Sequence, residues 1–192
     1  MVATGGNVET ELKNHRKVEK VENLKIVQFP DEILTKKCAE FEKRFEGDFY
    51  KILLPAAKQM ADDVYRTNNC VALAAPQIGM QERFFVMCCG YTQNNMRFCF
   101  NPSIIDHGQQ IEVKPEGCMS WDNGTQFVHV PRWRIITVIY RDEHFNLQKM
   151  SLRGKEARIY QHEMDHLNGL MIIKENEGDI DNGIETQQVP QV

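Results

Sequence analysis

Two histidines four residues apart, His162 and His166, stand with Glu163 beside the first in the string His162-Glu163-Met164-Asp165-His166. On a helix, positions i and i+4 lie one turn apart on the same face, so both imidazoles can reach one metal ion. A glutamate placed between them can act as general base on a water at that ion. The chemistry predicted is metal-assisted hydrolysis. Six His and 17 Glu in 192 residues would produce this pattern by chance in roughly one or two chains per hundred, so its surroundings decide its weight.

Those surroundings are helical. Lys155-Glu156-Ala157-Arg158-Ile159-Tyr160-Gln161 runs into the motif without Pro or Gly, and Gly154 and Gly169 bracket it. Ala157, Ile159, Tyr160, Met164 and Leu167 supply apolar positions. The segment therefore reads as a buried helix of roughly 14 residues with a glycine stop.

Two histidines leave the metal incompletely held, and three arrangements compete for the third ligand. The pattern HExxHxxGxxH has its glycine at Gly169, but its last position is Ile172, which cannot bind a metal. A downstream glutamate at the spacing of a second protease class would have to be Glu185, in a polar tail with no sign of folding. The upstream option is Pro115-Glu116-Gly117-Cys118-Met119-Ser120, where a cysteine stands beside a glycine among strands and turns. A thiolate is a strong ligand for borderline and soft divalent ions.

Together these residues resemble the peptide deformylase family. Glu116-Gly117-Cys118-Met119-Ser120 is similar to its EGCLS motif, and Gln161-His162-Glu163-Met164-Asp165-His166-Leu167-Asn168-Gly169 to its QHExDHLxG motif. A third motif, GφGφAAxQ with φ apolar, is matched by Cys70-Val71-Ala72-Leu73-Ala74-Ala75-Pro76-Gln77. The likeness covers roughly Leu24 to Ile173 and includes the opening Leu24-Lys25-Ile26-Val27-Gln28-Phe29-Pro30-Asp31. Both glycines of the third motif are replaced, by Cys70 and Ala72. In the family this segment runs beside the metal, where glycine permits close backbone approach. Ala72 adds one methyl; Cys70 is the larger change and bears on substrate fit, not on metal binding.

The resemblance implies a site and an activity. Cys118, His162 and His166 are the implied ligands of one divalent metal ion, iron(II) in the first instance, with zinc, nickel or cobalt as alternatives. Glu163 is the implied general base and acid. The Gln77 side-chain amide and the Met119 backbone N–H are the implied donors to the developing oxyanion. Ala72, Glu116, Gly117 and Ile159 are the expected substrate contacts, with Met119 and the aliphatic part of Arg158 beside an apolar slot. Lys155 falls where relatives usually carry a bulky apolar residue, and it is expected as a solvated rim residue rather than a selectivity determinant. The implied substrates are N-formylmethionyl nascent peptides met near the ribosome, and the products are formate and a free N-terminus. Two other readings stay open at this level: a metalloprotease with a different third ligand, and a metal-binding module without catalysis.

The remaining residues set the frame. Phe49, Ile52, Leu53, Ala56, Ala57, Met60 and Val64 recur at helical spacing from about Asp48 to Thr67. Strand-like runs follow at Arg83–Cys89, Arg97–Phe100, Ile104–Val113, Phe127–Val130, Arg134–Arg141 and Leu147–Leu152, with a hairpin loop over Asp142–Asn146. The expected fold class is α+β, with antiparallel strands around a central C-terminal helix carrying HExxH and an N-terminal helix packed outside. Residues 24–174 form the expected catalytic domain, residues 1–23 a polar extension and residues 175–192 an acidic polar tail.

Composition narrows the function classes. A net charge of -4 argues against a dedicated nucleic-acid binder, and no apolar run reaches the length of a membrane span. The opening residues lack the apolar core of a secretory signal, and Glu9, Glu11, Glu19 and Glu22 count against a transit peptide. Six cysteines without a secretory signal predict free thiols in a reducing compartment, the cytoplasm or an organelle. Cys70, Cys88, Cys89 and Cys99 are expected in the core. His15, His107, His129 and His144 lack ligand spacing.

Overall fold

A computed structural model describes residues 25–41, 54–66, 71–88 and 96–173. The expected N-terminal extension and acidic tail lie outside them, as do Cys70, Cys89 and His15.

The architecture turns on one short strand. Phe84–Cys88 (β2) reads Phe-Phe-Val-Met-Cys, and all five side chains are buried. Side chains alternate across a strand, so a run with no polar position must be covered on both faces. Phe85 and Met87 pack with Tyr160 and Leu167 of helix α2 (Lys155–Leu167). Phe84, Val86 and Cys88 pack with Ala56, Ala57 and Met60 of helix α1 (Leu54–Arg66). The small residues Ala56 and Ala57 let α1 lie close to the sheet. Phe49, Ile52 and Leu53 fall outside the described residues, and Val64 outside those with described side chains.

The sheet is antiparallel, with strand order β1-β2-β3-β6-β7. Its members besides β2 are Ala72–Ala74 (β1), Met96–His107 (β3), Ile135–Arg141 (β6) and Leu147–Arg153 (β7). Ile111–Glu116 (β4) and Val128–Trp133 (β5) form a separate two-stranded antiparallel sheet. The α+β class, the antiparallel strands, the C-terminal helix that carries HExxH and the helix on the outer face all agree with expectation.

Three strands depart from the sequence expectation: β1 is not among the expected strands, β5 runs past Val130 through Pro131 to Trp133, and β3 takes a different path. Arg97–Phe100 and Ile104–Val113 read as two strands interrupted by Asn101-Pro102. The chain instead runs as one strand through Asn101-Pro102 and breaks at Gly108, whose N–H donates to Ile135 O at 2.9 Å. Asn101 takes the left-handed conformation (φ 48) at a register shift between Phe100 and Ser103. Its side chain binds both backbone groups of Phe41, accepting from the N–H at 2.8 Å and donating to the carbonyl at 2.5 Å. A bulge of this kind accommodates a proline that has no N–H to donate.

Two contacts hold α2 where the site needs it. Gln161 clamps the helix to β5: its Oε1 accepts from Trp133 N at 3.0 Å and its Nε2 donates to Trp133 O at 2.9 Å. At the other end Gly169 has φ 75, and a Cβ there would lie 2.6 Å from the Thr35 carbonyl oxygen. The motif glycine is thus a steric requirement, allowing the helix to end against residues 35–38, where Cys38 N donates to Leu167 O at 2.9 Å. Gly169→Ala is expected to cost about 2 kcal/mol or more, combining left-handed strain with a backbone clash; urea denaturation measures it.

The β6–β7 hairpin rests on Asp142, as the loop over Asp142–Asn146 predicts. Its Oδ1 accepts from the N–H groups of His144 and Asn146, both at 2.9 Å, and its Oδ2 from Gln148 Nε2 at 2.7 Å. Partial burial pushes the carboxyl up, but these donors outweigh it and hold the pKa below its ordinary value. A depressed folded pKa stabilises the protein above the unfolded carboxylate range and is lost as pH falls through the folded value. Asp142→Ala is therefore expected to lower unfolding free energy by about 1 kcal/mol at neutral pH. The gap to the parent protein should narrow in acid; unfolding curves at pH 7 and below the carboxylate range test this.

Candidate metal centre

Three separate stretches converge on one point. β4 ends at Glu116, and Gly117 leads into Cys118 and the turn at Met119–Ser120. Helix α2 presents His162, Glu163 and His166 from consecutive turns. The short 3-10 turn Ala75–Ile78, following β1, supplies Gln77. Cys118, His162 and His166 offer ligand atoms all within 4.8 Å of one another. Cys118 Sγ lies 3.3 Å from His166 Nε2. A tetrahedral ion with bonds near 2.3 Å to sulfur and 2.1 Å to nitrogen sets that edge at about 3.6 Å, so the donors fit such an ion with only a small adjustment.

Of the ligand candidates, His162 is oriented from behind by Glu116. Both oxygens of Glu116, 7 % exposed, are engaged. Oε2 lies 3.1 Å from His162 Nδ1 and 2.9 Å from Arg132 Nη2. Oε1 accepts from Arg132 Nε at 3.1 Å and Arg158 Nη1 at 2.6 Å. An ionised carboxylate only accepts, so Nδ1 of His162 carries the proton and Nε2 is left for the ion. Burial pushes the Glu116 carboxyl up, yet His162 and Arg132 overcome it and hold the pKa at about 2. Burial likewise disfavours a charged His162, but Cys118, Glu116 and Glu163 draw it up to about 10. Burial and the charges of His162 and Arg132 push His166 down, toward the neutral form that binds metals.

Glu163 is 3 % exposed, and its Oε2 is buried without a hydrogen-bond partner among the described residues; His166 Nδ1 is in the same condition. Burial pushes the Glu163 carboxyl up to about 7. An unsatisfied buried carboxylate is costly to stability and marks a place built for something other than stability.

Gln77, 2 % exposed, is fixed in orientation. Its Oε1 accepts from Ala74 N at 2.8 Å, which turns Nε2 toward the centre. There Nε2 donates to Ser120 Oγ at 3.1 Å and lies 3.9 Å from Cys118 Sγ. Met119 O accepts from Gln28 Nε2 at 2.9 Å, tying the cysteine turn to the N-terminal segment. A Cβ on Gly117 would meet Phe127 Cε1 at 3.1 Å and Gln126 O at 3.3 Å, so glycine lets the strand pass beneath that ring.

These groups line a cleft of about 630 Å³. Ala72, Gln77, Glu116, Gly117, Cys118, Met119, Ile159, His162 and Glu163 are all on its wall; His166 is held behind it. Ala72 is buried in β1 opposite Met87, with its methyl on the α2 face of the sheet. Glu116 differs from expectation: with both oxygens turned to His162 and the two arginines, its carboxylate orients a ligand candidate and has no oxygen left unengaged for substrate. Ile172 is buried with Leu34 and Met171, as an apolar residue at that position requires. Glu185 lies outside the described residues.

The other candidates stay apart from the centre. Cys88 and Cys99 are buried core thiols, as expected. His107 stacks on Trp133 at 3.8 Å between ring centroids, and His129 and His144 are exposed. The residues that sequence reading did not single out are Arg132, Asp165 and Ser120. Arg132 Nη1 donates to Asp165 Oδ2 at 2.5 Å, so one guanidinium joins β5 to both Glu116 and α2. Asp165 stood inside the recognised motif; its partner, 33 positions away, left no spacing signal.

Comparison with known proteins agrees with this geometry. The family model for polypeptide deformylase matches residues 23–179. A peptide deformylase from Thermotoga sp. (strain RQ2) is 36% identical over 145 residues, covering 76% of this chain and 82% of its own length. Peptide deformylase 2 of a Nostoc strain is 31% identical over 172 residues, covering 83% of this chain and 89% of its own. Among solved structures, the peptide deformylase of Thermotoga maritima superposes with a TM-score of 0.69 at 34% identity, covering 77% of this chain and 93% of that one. A plant peptide deformylase gives 0.70 at 28% identity, covering 80% of each chain. The chain belongs to the peptide deformylase family, metal-dependent hydrolases that remove the N-formyl group from newly made polypeptides.

Proposed function

We propose that Cys118 Sγ and the Nε2 atoms of His162 and His166 hold one divalent ion, and that the surrounding residues carry out deformylation of N-formylmethionyl peptides. The observation that carries this reading is the convergence of three candidate ligand atoms with the unpartnered Oε2 of Glu163 and the fixed Gln77 amide at one cleft. A divalent ion there supplies Lewis acidity, which brings the pKa of water toward neutrality and polarises a carbonyl oxygen. Iron(II) is the proposed physiological ion; zinc, nickel and cobalt suit the same donor set.

Glu163 Oε2 accepts the proton of the attacking water and delivers it to the departing amine nitrogen. As the formyl C–N bond breaks, oxygen from water stays on carbon as formate, and the peptide leaves with a free amino group. Gln77 Nε2 and the Met119 N–H donate to the formyl oxygen as negative charge develops on it. Gln77 can do so without reorganising, because Ala74 already fixes its amide plane. Glu116 keeps His162 in the ligating tautomer. Ala72, Gly117, Ile159 and the aliphatic stem of Arg158 wall the slot for the methionine side chain and keep bulk water from it. Residues 24–174 are the proposed catalytic unit. It acts on nascent chains near the ribosome, in the cytoplasm or an organelle; the free buried thiols suit a reducing compartment. No helix among the described residues is long and apolar enough to cross a membrane.

Formate release from formyl-Met-Ala-Ser by anaerobically prepared protein, with metal analysis of the same sample, tests the activity; release of amino acids without formate would sink it. Glu163→Gln is expected to lower formate release by about a thousandfold while the bound metal stays at the parent level. Cys118→Ala is expected to lose both. If that variant kept metal at native affinity, Cys118 would not be a ligand. Chelation of the parent protein should lower its melting temperature as well as its activity, because the ion binds only the folded ligand set.

A further inference from the structure

The turn that carries Cys118 and Met119 is pinned at three successive carbonyls. Cys118 O accepts from Trp121 N at 3.0 Å, Met119 O from Gln28 Nε2 at 2.9 Å and Ser120 O from Phe29 N at 2.8 Å. Two of these donors are backbone N–H groups, and the third is the side chain of Gln28. The other end of that side chain is engaged as well: Oε1 accepts from Asn123 N at 3.3 Å. A single amide thus spans the turn from Met119 to Asn123, which takes the left-handed conformation (φ 51).

What these peptide planes carry makes the pinning matter. The Met119 N–H lies in the Cys118–Met119 peptide, whose carbonyl points the opposite way and is held by Trp121. The next plane, Met119–Ser120, is joined to it through the two soft dihedrals of Met119. Gln28 fixes that second plane. With both planes held, the Met119 N–H has a set direction before any substrate arrives. The neighbouring Val27 donates its N–H to Gln77 O at 2.8 Å, so the segment Val27–Phe29 is bonded to both residues that carry the proposed oxyanion donors.

We propose that Gln28 is a positioning residue for deformylation, acting through the Met119 peptide to keep the Met119 N–H aimed at the developing oxyanion. This rests on the deformylase reading and is separable from it. Gln28 stands outside the cleft wall, so its effect is relayed and not made by contact with substrate. Without it the Met119 carbonyl loses its side-chain donor, and the plane that follows the N–H is free to turn. Removing an oxyanion donor outright costs about a hundredfold to a thousandfold in kcat; loosening one is expected to cost about tenfold. The donor answers charge that develops only in the transition state, so the loss falls on kcat and not on KM.

The test is steady-state formate release from formyl-Met-Ala-Ser by the metal-loaded parent protein, Gln28→Met, Gln28→Glu and Gln28→Lys, with bound metal and melting temperature measured on each sample. Methionine keeps the length and removes both hydrogen bonds. Glutamate keeps an acceptor for Asn123 N but has no proton for Met119 O, and lysine keeps a donor. Per bound metal ion, kcat is expected to fall about tenfold in Gln28→Met and at least as far in Gln28→Glu. KM should stay within about twofold of the parent, and kcat should recover toward the parent in Gln28→Lys. A purely structural role would lower the melting temperature and leave kcat per metal ion at the parent value, which would overturn the proposal. A loss carried by KM would overturn it too, as would a Gln28→Lys rate no better than that of Gln28→Met. Absence of formate with the parent protein would instead overturn the deformylase reading, and this one with it.

Discussion

The structure depends on a buried carboxylate that is kept charged. Glu116 sits at the end of β4 with almost no access to water, where an isolated carboxylate would give up its charge. Arg132 and Arg158 prevent that. Once ionised, Glu116 fixes the tautomer and ring plane of His162, and Arg132 passes the same constraint to Asp165 one turn along the helix. A single ionic chain thus spans β4, β5 and α2. Removing one member would strand the others as unpaired buried charges, which is far costlier than losing an exposed pair. The network is better understood as setting geometry than as adding net stability.

The polar centre is bounded by close backbone packing that leaves little freedom to its parts. Gly117 lies beneath Phe127, and Gly169 abuts the Thr35 carbonyl. Gln77 bridges the turn after β1 to Ser120 in the cysteine turn. Cys118 and Gln77 are distant in sequence yet belong to one hydrogen-bonded unit, which fixes their relative position. A site assembled from such rigid parts needs little rearrangement when it meets substrate.

How much of this could be read from the residues follows from the range of each interaction. His162, Glu163 and His166 were legible because helical periodicity converts a spacing of four into a shared face. Cys118 and Gln77 were legible through their flanking residues. The α+β frame followed from apolar runs and one helical stripe. Glu116 was identified by motif, but its work on His162 was not, because that depends on arginines 16 and 42 positions away. The path of β3 through Asn101-Pro102 was hidden for a similar reason: the side-chain amide that makes it tolerable binds Phe41, 60 residues earlier. Local patterns announce local geometry; pairings across the fold do not announce themselves.

The double burial of β2 reaches beyond architecture. Alternate side chains of those five residues belong to two apolar layers, one against the metal-centre helix and one against α1. Neither layer can loosen without exposing the strand they share, which ties them into one cooperative opening unit. Free energy gained when an ion binds on one side of the sheet is therefore distributed to amide groups on the other. Amide exchange in α1, on the opposite face of the sheet from α2, would then report on whether the centre is filled.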